Sequence, residues 1–214
     1  MDKILKNKNT ILIFIIILFH TVGIIGMSLP DRKEYFLSLS PYNLLLSLVV
    51  TIIGQNKRSS SFYLFIIFVF TFGFIVELIG VHTGYLFGNY LYGKNLGAKF
   101  LDIPLIIGVN WVVLIIITGN ITYNLFKYKW INIFLASFLM VFLDFLIEPI
   151  AILSDYWSWE NNHIPMYNYV CWFGISLLIH FIFQKLKLNE QNRVHLCLYI
   201  VLVLFFGIQL IIHN

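Results

Sequence analysis

With 214 residues, 60% of them hydrophobic and only 11% charged, the chain carries too few polar side chains to cover a water-soluble globule of its size. Its net charge of +4 is modest and calls for no nucleic-acid partner, since the placement of its lysines and arginines between apolar runs accounts for it. Lipid is the expected solvent, and runs of about 20 apolar residues, enough to cross a hydrocarbon core, should fill one membrane domain over residues 1–214 and leave no room for a soluble one.

The first apolar run, residues 11–29, follows Lys3, Lys6 and Lys8. It begins like a secretion signal, but it is long and Met27-Ser28-Leu29-Pro30 offers no small-x-small cleavage site, so a retained helix is expected. The second run, 35–54, contains Ser40-Pro41, which reads as an N-cap with proline in the first turn and leaves only a short strongly apolar stretch behind it. Further runs at 61–80, 101–120, 130–152, 167–183 and 195–213 complete an all-α bundle of about seven transmembrane helices, because only helices pair every backbone group within such segments. Seven crossings put ten Lys and Arg on one side and four on the other. By the positive-inside rule the N-terminus is cytoplasmic, the C-terminus outside, and the protein multi-pass in the cell's inner membrane. Cys171 falls near the outer end of the sixth run and Cys197 near the inner end of the seventh, so the two cannot pair. The last run has no lysine for a retinal-type Schiff base.

Acids inside a membrane are costly and mark functional sites by default. Three fall within the runs: Glu77, Asp144 and Glu148. Asp144 and Glu148 are four apart and stack on one helix face, about 12 and 6 Å from its outer end. Glu77 nears the outer end of the third run, so all three belong to the outer half. Pro149 removes a hydrogen bond to the carbonyl of Phe145 and should kink or open the helix beside the pair. Aromatics crowd this level: Tyr85, Phe87, Tyr90, Tyr92, Trp111, Tyr156, Trp157, Trp159 and Trp172. They suit an interfacial belt or the walls of a pocket for a long apolar substrate. His82 follows Glu77 by five residues in a glycine-flanked turn, whereas His20, His180, His195 and His213 are scattered without metal-ligand spacing and no metal is expected. Asn110 lies inside a run, suited to orienting a water or bridging helices, and Asp102 and Asp155 read as solvated caps.

Two blocks carry a resemblance. The first runs from Val76 through Glu77, His82, Thr83, Gly84, Tyr85, Phe87, Gly88 and Tyr90 to Leu96-Gly97 and Ile103-Pro104-Leu105. The second is Asp144-Phe145-Leu146-Ile147-Glu148-Pro149, then Tyr156-Trp157-Ser158-Trp159, Ile164-Pro165, Tyr167-Asn168-Tyr169 and Trp172. Together they resemble the signature of the membrane carotenoid biosynthesis proteins, which include carotenoid 1',2'-hydratases and bisanhydrobacterioruberin hydratases. Asn110 before Trp111 and Cys171 before Trp172 depart from that pattern, where a small apolar residue and a glycine are expected.

The resemblance implies hydration of the terminal C1'=C2' double bond of an acyclic carotenoid ψ-end, lycopene- or γ-carotene-like, drawn from the lipid phase, with no redox cofactor or metal. It also implies that other pathway enzymes are possible partners. Glu77, Asp144, Glu148 and His82 are then the catalytic candidates. Thr83, Gly84, Tyr85, Phe87, Gly88, Tyr90, Pro104, Asn110, Trp111, Trp157, Trp159, Asn168 and Trp172 are the candidates for substrate contact. The chemistry suits them: protonating C2' leaves a tertiary cation at C1', which needs a proton donor, electron-rich walls and one held water. The Asp144/Glu148 pair reads as the acid and Glu77 as the base for water, though spacing alone assigns no separate roles. Three other classes share parts of this pattern. An end-group cyclase would trap the same cation with the substrate's own double bond, a prenyltransferase would use the acids to hold Mg²⁺ and diphosphate, and a carotenoid carrier or proton conductor would also bury acids.

Overall fold

The computed structural model describes residues 2–213, with side chains from Asn7 onward, so the side chains of Lys3 and Lys6 lie outside the described residues. Eight helices follow in order: α1 (Asp2–Ser28), α2 (Lys33–Ser38), α3 (Ser40–Gly54), α4 (Ser60–Thr83), α5 (Ile106–Ile121), α6 (Lys129–Leu153), α7 (Met166–Lys185) and α8 (Arg193–His213). Short strands β1 (Tyr90–Tyr92), β2 (Lys99–Phe100), β3 (Ile103–Pro104) and β4 (Trp157–Trp159) lie in the connections. Helices α1, α4, α6, α7 and α8 are long and apolar enough to cross a membrane. Their outer surfaces display Phe14, Leu64, Phe134, Phe145 and Ile211, each more than half exposed, as a lipid-facing surface requires. The chain is an all-α integral membrane protein.

Two apolar helices are shorter. The second run divides into α2 and the 15-residue α3, which is about 22 Å long. Ser40 does not cap α3: it is the first helical residue, and its hydroxyl instead shares a 2.5 Å hydrogen bond with that of Tyr156. In the fourth run, residues 101–105 belong to a hairpin of β2 and β3 and not to a helix, because Leu101 and Asp102 take positive φ at its turn. Asp102 is therefore a turn residue, and Asp155, also at positive φ, lies beyond the end of α6. Helix α6 continues past Pro149 to Leu153 and does not end there.

Helix α5 is buried on every face from Ile106 to Asn120 except at Asn110, the pattern of a helix enclosed by others. It packs against α3, α4, α6, α7 and α8, while α1 lies along α8. Close approach is set by glycine: at Gly73 of α4, any side chain would run into the indole of Trp111. Connections join at alternate ends of the bundle. At one end β1 pairs with β4 and Ser40 meets Tyr156, and at the other Gln55 bonds the carbonyl of Leu188.

That second end is closed by Glu190. Its carboxylate accepts from the backbone and side-chain nitrogens of Asn56 (2.8 and 2.9 Å), the backbone of Lys57 (3.0 Å) and Asn192 (3.1 Å). Asn120 adds a bridge from Gln55 and His195 to the backbone of Glu190. Glu190→Ala removes the charged acceptor of four partly buried hydrogen bonds and is expected to lower stability by about 1–3 kcal/mol, read by thermal unfolding in detergent.

Candidate functional site

Strand pairing builds the roof of the site. Tyr90 opposes Trp159, and Tyr92 opposes Trp157, with Leu91 and Ser158 between them. Side chains alternate along strands, so both tyrosines and both tryptophans share one face and turn into the bundle, while Leu91 is 66% exposed on the other. Every one of the four carries an N–H or O–H donor, and all four donors end on a glutamate.

Glu77 of α4 accepts at Oε2 from Tyr90 Oη (2.5 Å) and Tyr92 Oη (2.7 Å), and at Oε1 from the indole nitrogen of Trp111 (3.0 Å). Glu148 of α6 accepts at Oε2 from the indoles of Trp157 (2.9 Å) and Trp159 (2.7 Å), and at Oε1 from Asn168 (3.2 Å). Asp144, one turn before Glu148, receives only the same Asn168 amide at 3.4 Å. All three carboxyls are buried. Burial, and then the neighbouring Glu77, push the hydroxyls of Tyr90 and Tyr92 well above the ordinary tyrosine range, so both stay protonated and remain donors. Trp111 stacks on Trp172 with ring centres 4.1 Å apart and planes at 6°, and Phe87 leans on Trp172 at 6.0 Å.

The acids face a cavity of about 30 Å³, enough for one or two water molecules. Phe87, Tyr90, Tyr92, Asn110, Trp157, Trp159, Asn168 and Trp172 line it with Glu77, Asp144 and Glu148. Beside it lies a much larger hollow of about 400 Å³ among α1, α3, α5, α6 and α8, walled chiefly by apolar side chains such as Met27, Leu46, Val113, Leu143 and Phe205. Ile107, Asn110, Ile147 and Trp157 are common to both walls. Among the described residues no lysine or arginine lines either one.

The structure thus gathers Glu77, Phe87, Tyr90, Asn110, Trp111, Asp144, Glu148, Trp157, Trp159, Asn168 and Trp172, all singled out from sequence. It sets others apart. His82 is exposed, with Nε2 against the carbonyl of Leu101 at 3.2 Å, and it lines neither cavity. Thr83 bonds back to the carbonyl of Ile79, Gly84 takes the left-handed turn that ends α4, and Tyr85 is 79% exposed. Gly88 sits at φ 111° against Pro165, and Pro104 is held in the β2–β3 hairpin. These five shape the connection and not the cavity walls. Tyr92, expected only as one of the aromatics crowding this level, also joins the site, and the Tyr-x-Tyr and Trp-x-Trp alternation was the signal that could have assigned it. A pocket for a long apolar substrate was expected, but not its walls on α1, α3 and α8. Among the described residues no three His, Cys, Asp or Glu are grouped to hold a metal.

Comparison with known proteins places the chain. The family profile described as "Carotenoid biosynthesis protein" matches residues 39–214. The chain is similar to a bisanhydrobacterioruberin hydratase of Haloarcula japonica, 24% identical over 185 residues that cover 77% of this chain and 61% of the relative. It therefore spans less than two thirds of that relative's length. No solved structure matches it significantly. The profile runs from the start of α3 to the C-terminal end and takes in Glu77, Asp144 and Glu148, and the chain belongs to the carotenoid biosynthesis protein family.

Proposed function

We propose that this chain is a carotenoid hydratase, adding water across the terminal C1'=C2' double bond of an acyclic ψ-end. The observation that carries this reading is the pairing of two unlike cavities, one water-sized and acidic, one long-chain-sized and apolar, through a shared wall. A polyene end lying in the larger one presents its last double bond to the acids. The relative's name supports hydration in particular.

Hydrogen bonding divides the roles. A carboxylate offers about four lone-pair sites. Glu77 and Glu148 each have three filled by protein donors, which favours the charged form, whereas Asp144 has one long contact and is the group suited to carry a proton. Asp144, sharing Asn168 with Glu148, protonates C2'. The π electrons form the new C–H bond and leave a cation at C1', faced by the rings of Trp157, Trp159 and Tyr90. Water forms the C1'–O bond and gives its proton to Glu77, at that carboxylate's one unfilled site. Proton return through the carboxyl cluster restores Asp144.

The wall composition weighs against a prenyltransferase, whose diphosphate would want cationic side chains there. A cyclase remains the rival reading, separated by product mass. The reading puts the protein in the cytoplasmic membrane with its N-terminus inside, on the strength of the ten-to-four division of Lys and Arg. Expression in a lycopene-accumulating host, followed by chromatography of the pigments, tests the function: a hydroxylated carotenoid is expected, and unchanged lycopene contradicts it. In the same assay His82→Ala is expected to stay within about twofold of the parent, since an exposed ring outside the site adds little to the barrier.

A further inference from the structure

The two cavities meet at a single uncommitted polar side chain. Of the four residues common to both walls, Ile107 and Ile147 are apolar, and Trp157 already gives its N–H to Glu148. Asn110, one turn into α5, is the fourth. Among the described residues its side-chain amide has no hydrogen-bond partner, whereas the amide of Asn168 across the small cavity is bound to two carboxyls. An amide at this depth in a membrane protein is costly unless a water or a ligand completes it. The small cavity has room for one or two waters and no more, so a carotenoid end group cannot enter it. The reacting double bond must then sit at the junction, and any water that attacks it must be held on the acidic side of that junction.

We propose that Asn110 is the residue that holds the attacking water, and so decides that the cation is hydrated and not released as an alkene. This rests on the hydratase reading above. The side-chain carbonyl accepts one water proton and leaves a lone pair directed at C1' in the neighbouring hollow. When C2' has been protonated, the water oxygen forms the C1'–O bond and the second water proton passes to a carboxylate of the cluster. One water is added, and nothing is oxidised or reduced. Without a held water, the cation has a different exit: a neighbouring C–H bond breaks, its electrons rebuild a double bond, and the proton returns to the carboxylate.

Heavy water distinguishes the two exits. Full-length protein in lipid nanodiscs is incubated with lycopene in D₂O, and both hydrated product and deuterium in recovered lycopene are measured. For Asn110→Leu, hydration is expected to fall at least about tenfold while deuterium exchange into lycopene persists or rises. Asn110→Ser, which keeps an acceptor in a smaller side chain, should recover part of the hydration. Hydration by Asn110→Leu within twofold of the parent overturns the proposal, and so does parallel loss of hydration and exchange, which marks a role in protonation or folding instead. If the parent protein neither hydrates nor exchanges lycopene, the hydratase reading itself fails.

Discussion

Replacing Asp144 by asparagine is expected to cut the hydration rate by about 10²- to 10⁴-fold, the range that a positioned general acid supplies. The change keeps size and shape, and Asn168 retains a carbonyl to bond, so the fold should survive it. What disappears is, among the described residues, the only buried carboxyl left almost without donors. Glu148→Gln is expected to cost less at the chemical step but more in order, because Oε2 of Glu148 receives two indole N–H groups that fix the roof strands. Rates in proteoliposomes, read by chromatography, compare the two. Near-normal hydration by the Asp144 variant would remove the acid from the mechanism.

Gly73→Leu should be the most damaging change away from the carboxyls. An added Cβ at this position lies 2.5 Å from Cγ of Trp111 and 2.8 Å from its Cβ, well inside contact distance. Trp111 has nowhere to move: it is fully buried, stacked on Trp172, and tied through its N–H to Glu77. Overpacking of this kind costs about 1–3 kcal/mol, and a leucine on a close helix contact belongs at or above the top of that range. A lowered unfolding temperature in detergent and loss of activity together are the expected outcome, with Gly73→Ala intermediate. Unchanged activity would mean that the indole is free to leave Glu77.

Much of this arrangement was legible before the coordinates. Apolar runs near 20 residues announce helices because lipid permits little else, and the i, i+4 spacing of Asp144 and Glu148 holds on α6. Boundaries were less legible. Hydropathy treats Leu101 to Leu105 as the start of a span, yet positive φ at Leu101 and Asp102 turns the chain there, and no apolar score registers a backbone angle. The roof was hidden for another reason: β1 and β4 are far apart in sequence, so only the alternation within each three-residue strand hints at a shared face. Glu190, in a polar connection, reads as solvated until residues 55–57 fold over it. A pocket for a long apolar substrate was expected, but its place was invisible, since the same leucines and phenylalanines serve equally against lipid, against one another or around an empty space.

The central claim is that water, and not the substrate's own double bond, captures the cation generated beside Asp144. Reaction in heavy-oxygen water with mass analysis of the carotenoid product tests it most directly. The account predicts a product heavier than the substrate by one labelled water per modified end, with the label in a tertiary hydroxyl. A product of unchanged mass, or one whose oxygen carries no label, would contradict it.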